Sequence, residues 1–211
     1  MTRARRLGRL AKGALLYELA LYPALVRWVL RRPDVPQGAT AIGYDRLVGP
    51  MLWLWIFGSA TEVVVVDVVL RQVDAGWAHA LQVPMLLLGV WGVVWMLGMR
   101  ASMRVTPHLL TDDLLRVRSG ARTWLEVPRA AVASARPAPR ELPGTIRTFW
   151  VEDGAALVGV GSETNLELVL TGPTALRSSH GEVVVDRVGL FVDDPRDVAA
   201  LLRVPSGRLP R

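Results

Sequence analysis

Two long apolar stretches, separated by a short polar turn, constrain the fold of this chain more than any other feature. Leu47–Leu70 is apolar except for Glu62 and Asp67, and Ala80–Met99 contains no charged residue. A helix of about 20 mainly apolar residues is long enough to cross the hydrocarbon of a bilayer. The residues between the two stretches, Arg71–His79, are enough only for the chain to reverse direction. The sequence therefore predicts a hairpin of two transmembrane helices.

The distribution of basic residues predicts how this hairpin, residues 47–100, is oriented. Nine Lys and Arg residues precede Met51, whereas the turn between the two stretches carries only Arg71. Arg100 and Arg104 follow directly after the second stretch. Basic residues accumulate on the cytoplasmic side of membrane helices. We therefore expect a multi-pass protein of the cell membrane, with both termini in the cytoplasm and the turn outside.

The segment before the hairpin, residues 1–46, is basic at its start and mostly apolar over residues 13–30. A signal peptide and a third transmembrane helix are two interpretations of this apolar run. No small-residue cleavage site follows it, and arginines lie on both sides of it, so the positive-inside bias favours neither orientation. We therefore favour a helix that lies in the membrane interface, with Trp28 at the depth of the headgroups. Residues 31–46, which contain two prolines, are expected to form a linker back to the bilayer.

Residues 101–211 contain short runs of alternating apolar and polar side chains that are separated by turn signals, a pattern typical of strands. A short amphipathic segment follows, in which Asp194 is a suitable helix N-cap and Pro195 a suitable first residue. We expect seven or eight strands in a small, closed or nearly closed β-barrel, capped by a helix over 194–203. The predicted strands are 104–110, 114–118, 122–127, 132–136, 145–151, 155–160, 166–171 and 182–192.

Three segments that follow the hairpin occur in an order that a known family shares. They are Arg-Val-Thr-Pro-His-Leu-Leu at 104–110, Leu-Arg-Val-Arg-Ser-Gly-Ala at 115–121 and Val-Pro-Arg-Ala-Ala-Val-Ala-Ser at 127–134. Behind two apolar spans, they resemble the bacterial PH-like domains that are tethered to membrane hairpins. The chain is also similar to a group of uncharacterised actinobacterial integral membrane proteins, through Gly-Tyr-Asp-Arg at 43–46 and Val-Gly-Ser-Glu-Thr-Asn at 160–165. The resemblance implies an α+β membrane protein, in which a cytoplasmic PH-like barrel or sandwich with a C-terminal capping helix follows the hairpin. It implies no ligand and no site.

Glu62 is the most informative single residue, since it lies about two-thirds of the way along the first apolar stretch. An ionised carboxylate at that depth costs several kcal/mol unless it is paired or hydrated. One interpretation is that Glu62 handles protons or cations. The other, which we favour, is a hydrogen-bonded carboxyl that holds a contact between helices or subunits. Neither stretch contains a basic residue that could pair with it.

Asp67 and His79 lie near the outer end of the hairpin, one on each arm. A hairpin brings them to the same depth, where they can form a polar pair or supply two ligands to a metal. A structural zinc site takes four ligands, so we favour the polar pair and expect no metal or other cofactor. His108 and His180 have no carboxylate or nucleophile at a suggestive spacing, and we expect both to be solvated.

The composition excludes several functions. The chain of 211 residues has no cysteine, which excludes disulfides, zinc thiolate sites and thiol catalysis. Its net charge of +6 is compatible with nucleic-acid binding. However, the basic residues flank the apolar stretches and no aromatic-plus-basic RNA motif is present, so we expect no nucleic-acid partner. No catalytic triad, paired-carboxylate motif or P-loop is recognisable, which favours a non-enzymatic role.

Two hypotheses for the function remain. The first is a membrane-anchored interaction or regulatory module, whose cytoplasmic domain binds a protein, a peptide or lipid headgroups. Arg100 and Arg104 stand where the phosphates of anionic inner-leaflet lipids would be. The second is a transport or proton-handling protein that uses Glu62. Two helices are too few to enclose a path, so this second hypothesis requires a homo-oligomer.

Overall fold

A computed structural model describes residues 3–144 and 147–203. This part of the chain folds into four α-helices, one 3-10 turn (Arg129–Ala131) and nine strands. The helices are α1 (Arg3–Val29), α2 (Gly49–Gln72), α3 (Gly76–Val105) and α4 (Pro195–Arg203). The strands are β1 (Thr40–Ile42), β2 (His108–Leu110), β3 (Leu114–Ser119), β4 (Thr123–Pro128), β5 (Val132–Glu141), β6 (Phe149–Glu152), β7 (Ala155–Val158), β8 (Glu163–Ser178) and β9 (Gly181–Leu190).

The two apolar stretches form two long helices, as predicted. Both α2 and α3 are long and apolar enough to cross a membrane, and three residues between them turn the chain. Pro50 lies in the first turn of α2, where its missing N–H costs no hydrogen bond. Within the most apolar part of each helix, 11% of α2 and 0% of α3 is buried inside the protein. Neither helix therefore has the burial of a core helix in a soluble domain.

Two glycines allow other helices to approach α3 closely. A Cβ atom at Gly89 would overlap the side chain of Val63 on α2, and one at Gly98 would lie 2.9 Å from the Cβ atom of Leu21 on α1. Small residues permit such close contacts between helix backbones. The segment 13–30 is thus helical, as expected, and α1 packs on α3 through Leu21 and Ala24, which are both buried.

The strands form one open mixed sheet, so the prediction of a closed or nearly closed barrel was wrong. The strand order is β1-β2-β3-β4-β8-β9-β7-β6, and β5 pairs separately with β8. All the pairs are antiparallel except β7 with β9. Among the described strands, β1 and β6 end this order and do not pair with each other. They have three and four residues, and β5, which among these strands pairs only with β8, is a third edge strand of ten residues, so the sheet stays open.

Four strands differ from the predicted pattern. Strand β2 begins only at His108, because α3 continues to Val105, where the sequence predicts a strand. Strand β1 lies within the predicted linker, where it pairs with β2. Strand β5 continues beyond the predicted end at residue 136, through Pro137 and Pro139, and a shift in register after Pro137 accommodates these prolines. Strand β8 has 16 residues, and a shift in register between Val169 and Thr174 divides it. Its first part pairs with β5 and its last residue with β4. The first two residues of the predicted strand 145–151 lie outside the described residues.

The sheet encloses an apolar core that α4 covers at one side. Leu168 of β8 is fully buried in this core, and Val198 of α4 packs into it. At the start of α4, the Oδ1 atom of Asp194 accepts a hydrogen bond of 3.3 Å from the backbone N–H of Asp197. Asp194 is therefore the N-cap and Pro195 the first helical residue, as predicted.

Candidate functional site

A salt bridge connects the segment before α2 to the C-terminal part of α3. The carboxylate of Asp45 accepts a hydrogen bond of 2.7 Å from Nη1 of Arg100 and one of 3.1 Å from Nη1 of Arg104. The two arginines are one helical turn apart, so both reach the same carboxylate. The side chains of Asp45 and Arg100 are 6% and 14% exposed, whereas that of Arg104 is 60% exposed. The contact between Asp45 and Arg100 is thus a buried ion pair.

An aromatic contact lies beside this ion pair. The rings of Tyr44 and His108 stack with their centroids 4.6 Å apart, and both side chains are buried. The hydroxyl of Tyr44 accepts a hydrogen bond of 2.9 Å from the N–H of Gly120. Nδ1 of His108 accepts one of 2.8 Å from the N–H of Arg118. Nε2 of His108 therefore carries the proton and donates to the carbonyl of Phe191, also at 2.8 Å.

Burial keeps both rings neutral. It lowers the pKa of His108 to about 4 and raises the pKa of Tyr44 to about 12. The expectation that His108 is solvated was therefore wrong. Its two ring nitrogens are occupied by backbone groups, so His108 connects strands and has no free nitrogen for acid–base chemistry.

Asp34 forms a second polar connection between the helices and the sheet. Its carboxylate accepts a hydrogen bond of 3.0 Å from Nη1 of Arg118 on β3, and it lies 3.5 Å from Nη1 of Arg27 on α1. Its backbone N–H donates to the carbonyl of Val105, the last residue of α3, at 2.7 Å. Partial burial lowers the pKa of Arg118. We call the two carboxylates, Asp34 and Asp45, with their arginines and the Tyr44–His108 stack the junction.

The five predicted site residues do not form one site, and the first of them, Glu62, lies apart from the others. Glu62 is exposed on α2, beside a groove of about 260 Å³ between α2 and α3. Within the part of the chain that the structure describes, its carboxylate has no hydrogen bond or ion pair. The hydroxyl of the neighbouring Thr61 donates instead to the carbonyl of Phe57. Glu62 thus has no partner within the described residues.

Asp67 and His79, near the turn between α2 and α3, have different partners. Asp67 forms an ion pair of 2.7 Å with Arg71 and accepts a hydrogen bond of 3.0 Å from the amide of Gln82 on α3. Nδ1 of His79 lies 3.1 Å from the carbonyl of Ala75, in the preceding turn of the chain. Asp67 thereby joins the two arms, but through Gln82 and not through His79.

The two arginines predicted to face lipid phosphates are also separated. Arg100 is held in the buried ion pair, whereas Arg104 is exposed while it contacts the same carboxylate. The sequence did not identify Asp45 as their partner, because 55 residues separate it from Arg100. A signal was nevertheless present, since Asp45 lies in the Gly-Tyr-Asp-Arg segment at 43–46.

The chemistry of these residues is that of a structural connection. In the described parts, 3–144 and 147–203, no group of three or more His, Cys, Asp or Glu side chains is placed to hold a metal ion. The buried polar atoms of the junction are mostly bonded to one another or to the backbone. The junction therefore holds the helices and the sheet together.

The fold and the junction together define a class of protein. It is an α+β protein, in which two helices able to span a membrane are joined to an open mixed sheet by buried ionic and aromatic contacts. No family model matches the chain, and no curated protein or solved structure is significantly similar to it.

Proposed function

We propose that this protein is a membrane-anchored, non-enzymatic interaction module. In this proposal α2 and α3 cross the cell membrane as a hairpin, and both termini lie in the cytoplasm. The sheet is PH-like and binds a protein, a peptide or lipid headgroups at the inner surface of the membrane. The uncharacterised actinobacterial membrane proteins that the sequence resembles would have the same arrangement.

One observation carries this proposal: the exposure of the apolar side chains on α2 and α3. Leu54 and Phe57 on α2 are 71% and 72% exposed, and Leu87 on α3 is 64% exposed. Apolar surface of this extent is costly in water and is normal in a lipid bilayer. The opposite arrangement in the sheet, where leucines are buried, supports a soluble domain attached to a membrane anchor.

The distribution of charge supports the orientation. The basic residues of the junction lie at the end of the hairpin to which the sheet is attached, while the outer turn carries Arg71 alone among basic residues. Trp28 of α1 and Trp53 of α2 contact each other at the junction end, with ring centroids 6.3 Å apart. Tryptophan prefers the interface between headgroups and hydrocarbon, so this pair fits the inner boundary of the bilayer.

Reporter fusions test the anchor and its orientation. A reporter at residue 74, in the outer turn, and a reporter after the C-terminus are expected to report opposite sides of the membrane. The full chain should also stay with the membrane after alkaline extraction. Equal behaviour of the two fusions, or release of the chain by alkali, would contradict the proposal.

A second candidate function rests on Glu62, whose carboxylate has no partner within the described residues. A carboxyl without a partner in hydrocarbon marks a site of proton or cation handling, or a contact with another subunit. Transport by two helices per chain requires an oligomer. The mass of the protein in mild detergent separates the two functions, because a strict monomer rules out the transport function.

A further inference from the structure

A groove lined by arginines lies where the C-terminal end of α1 meets the C-terminal end of α3. Its volume is about 440 Å³. Arg27, Arg31 and Arg32 line it from the α1 side and Arg104 lines it from α3, and Trp28 is also part of the lining. Four cationic side chains around one groove repel one another unless an anion lies among them.

The backbone at the end of α1 builds this groove. The N–H of Arg32 donates to the carbonyl of Arg27, and the N–H of Arg31 donates to the carbonyl of Trp28, at 2.9 and 3.0 Å. These two bonds form a Schellman motif, in which the residue at the position of Arg31 is usually glycine. Arg31 occupies this left-handed position with φ of 54°. An arginine therefore stands where the backbone alone would favour glycine.

The neighbouring acids do not neutralise the groove. Asp34 is shared by Arg27 and Arg118, and Asp45 is shared by Arg100 and Arg104. The guanidinium groups of Arg31 and Arg32 are exposed and have no partner within the described residues. The two carboxylates thus pair with four arginines and leave Arg31 and Arg32 unpaired among the described residues, so the groove keeps an excess of positive charge.

Exposed apolar residues surround the same groove. Val29 and Leu30, at the end of α1, are 70% and 58% exposed. Trp28 contacts Trp53, in the first turns of α2. A groove with cationic side chains beside exposed apolar ones matches a molecule that carries a phosphate on one part and acyl chains on another.

We infer that the groove formed by Arg27, Arg31, Arg32, Arg104 and Trp28 binds the phosphate of an anionic phospholipid headgroup. Arg31 and Arg32 donate hydrogen bonds to the phosphate, while Val29 and Leu30 contact the acyl chains. This inference rests on the proposed function in one respect, since it requires that α2 and α3 lie in a bilayer. The inferred lipid contact lies at the end of α1. Of Arg100 and Arg104, which the sequence predicts to contact lipid phosphates, only Arg104 is part of it.

The test measures the binding of short-chain lipids to the purified full chain in a neutral detergent. The melting temperature is measured as dihexanoyl phosphatidylglycerol is added in increasing amounts. Dihexanoyl phosphatidylcholine, which is zwitterionic, is the comparison. We expect the wild type to be stabilised by phosphatidylglycerol at lower concentrations than by phosphatidylcholine. In the double variant Arg31→Gly and Arg32→Gln, the half-maximal concentration should rise by about thirtyfold. Glycine suits the left-handed position of Arg31, so this variant is expected to fold.

The matched control removes two arginines from the sheet domain, with Arg177→Gln and Arg196→Gln. Both residues are exposed, so the net charge falls equally and the affinity for phosphatidylglycerol should not change. Equal affinity of wild type and the Arg31/Arg32 variant, or an equal loss in the control, would overturn the inference. Glycerol phosphate is the soluble arm: if it competes at the same concentration as phosphatidylglycerol, the ligand is a free phosphate compound and the lipid assignment is wrong.

Reporter fusions to the same variants separate this inference from the proposed function. If the hairpin inserts and phosphatidylglycerol has no advantage over phosphatidylcholine, the inference alone fails. If the fusions show that no hairpin inserts, the proposed function fails and the inference fails with it. Should the double variant be poorly folded, Arg32→Glu places one reversed charge at an exposed position and must give the same loss of affinity.

Discussion

Apolar side chains are largely exposed on the hairpin and largely buried in the sheet. In the sheet, Leu168 is fully buried, while Leu87 on α3 is 64% exposed. The acids also differ: Asp45 of the junction is buried between two arginines, whereas Glu62 on α2 is exposed without a partner in the described residues. A domain stable in water buries its leucines, and the charges that it buries are paired. This difference in burial is what the proposed membrane anchor requires, and the following predictions test it.

The largest effect is expected from Asp45→Asn. This change leaves the guanidinium of Arg100 buried without a counter-charge and should cost about 4 kcal/mol of unfolding free energy. Denaturant unfolding of the full chain in detergent micelles measures the loss. The control is Arg104→Gln, which removes an arginine that is 60% exposed and should cost less than about 1 kcal/mol. Losses of similar size in both variants would show that the ion pair is not buried as described.

Leucine truncation compares the two regions directly. Leu168→Ala removes a fully buried side chain from the core of the sheet and should cost about 3 kcal/mol. The matched change Leu87→Ala, on the exposed face of α3, should change the unfolding of the sheet by less than about 0.5 kcal/mol. Thermal melts that follow the β signal in circular dichroism measure both. A large effect of Leu87→Ala on the sheet would mean that this face of α3 is covered by protein.

Acid should destabilise the sheet through His108. The pKa of His108 is about 4 in the folded protein and near 6.5 when unfolded. Between these values the unfolded state binds more protons, so stability is lost as the pH falls. The loss should be about 2 kcal/mol between pH 7 and pH 5, measured by denaturant unfolding at each pH.

Two histidine variants isolate that contribution. His180 is exposed and stacks on Phe149, so His180→Gln should keep the full dependence on pH. The His108→Asn variant should be less stable than the wild type at pH 7, and its unfolding free energy should depend much less on pH. If the dependence were the same in His108→Asn as in the wild type, another group would be responsible.

The smallest effect is expected from Glu62→Gln. No described residue binds the Glu62 carboxylate, so the change should alter thermal stability in detergent by less than about 1 kcal/mol. Asp67→Asn is the comparison, since Asp67 has both Arg71 and Gln82 as partners and should lose more. A well-folded Glu62→Gln protein that lacks a pH-dependent activity would favour the alternative function. A large loss of stability would indicate a partner in another subunit.

The helical parts of this fold could be predicted from the sequence because their signals are local. Twenty apolar residues, a short polar turn and the Asp194-Pro195 start of α4 each lie within one segment of chain. The same holds for the short strands with a clear turn on either side, such as β3 and β4. Hydropathy located the apolar part of α3 but not its ends, because polar residues continue the helix beyond that part.

The pairing of distant segments could not be predicted. Strand β1 has three residues and acquires its conformation only by pairing with β2, far along the chain. The prolines of β5 signal a loop, yet they are tolerated where the register of an edge strand shifts. His108 looked like a solvated histidine because its partners, the N–H of Arg118 and the carbonyl of Phe191, are backbone groups that leave no trace in the sequence.

The short connection between α3 and the sheet has a mechanical consequence. Only Thr106 and Pro107 separate Val105, the last residue of α3, from His108, the first residue of β2. Proline fixes its own φ angle. In addition, Asp34 and Asp45 both form polar contacts with the C-terminal end of α3. This connection therefore has little freedom to rotate. A transmembrane helix responds to a thicker or thinner bilayer by changing its tilt. If α3 crosses a bilayer, as proposed, a change of its tilt is transmitted to the sheet, and the face that the sheet turns away from the membrane then depends on membrane thickness.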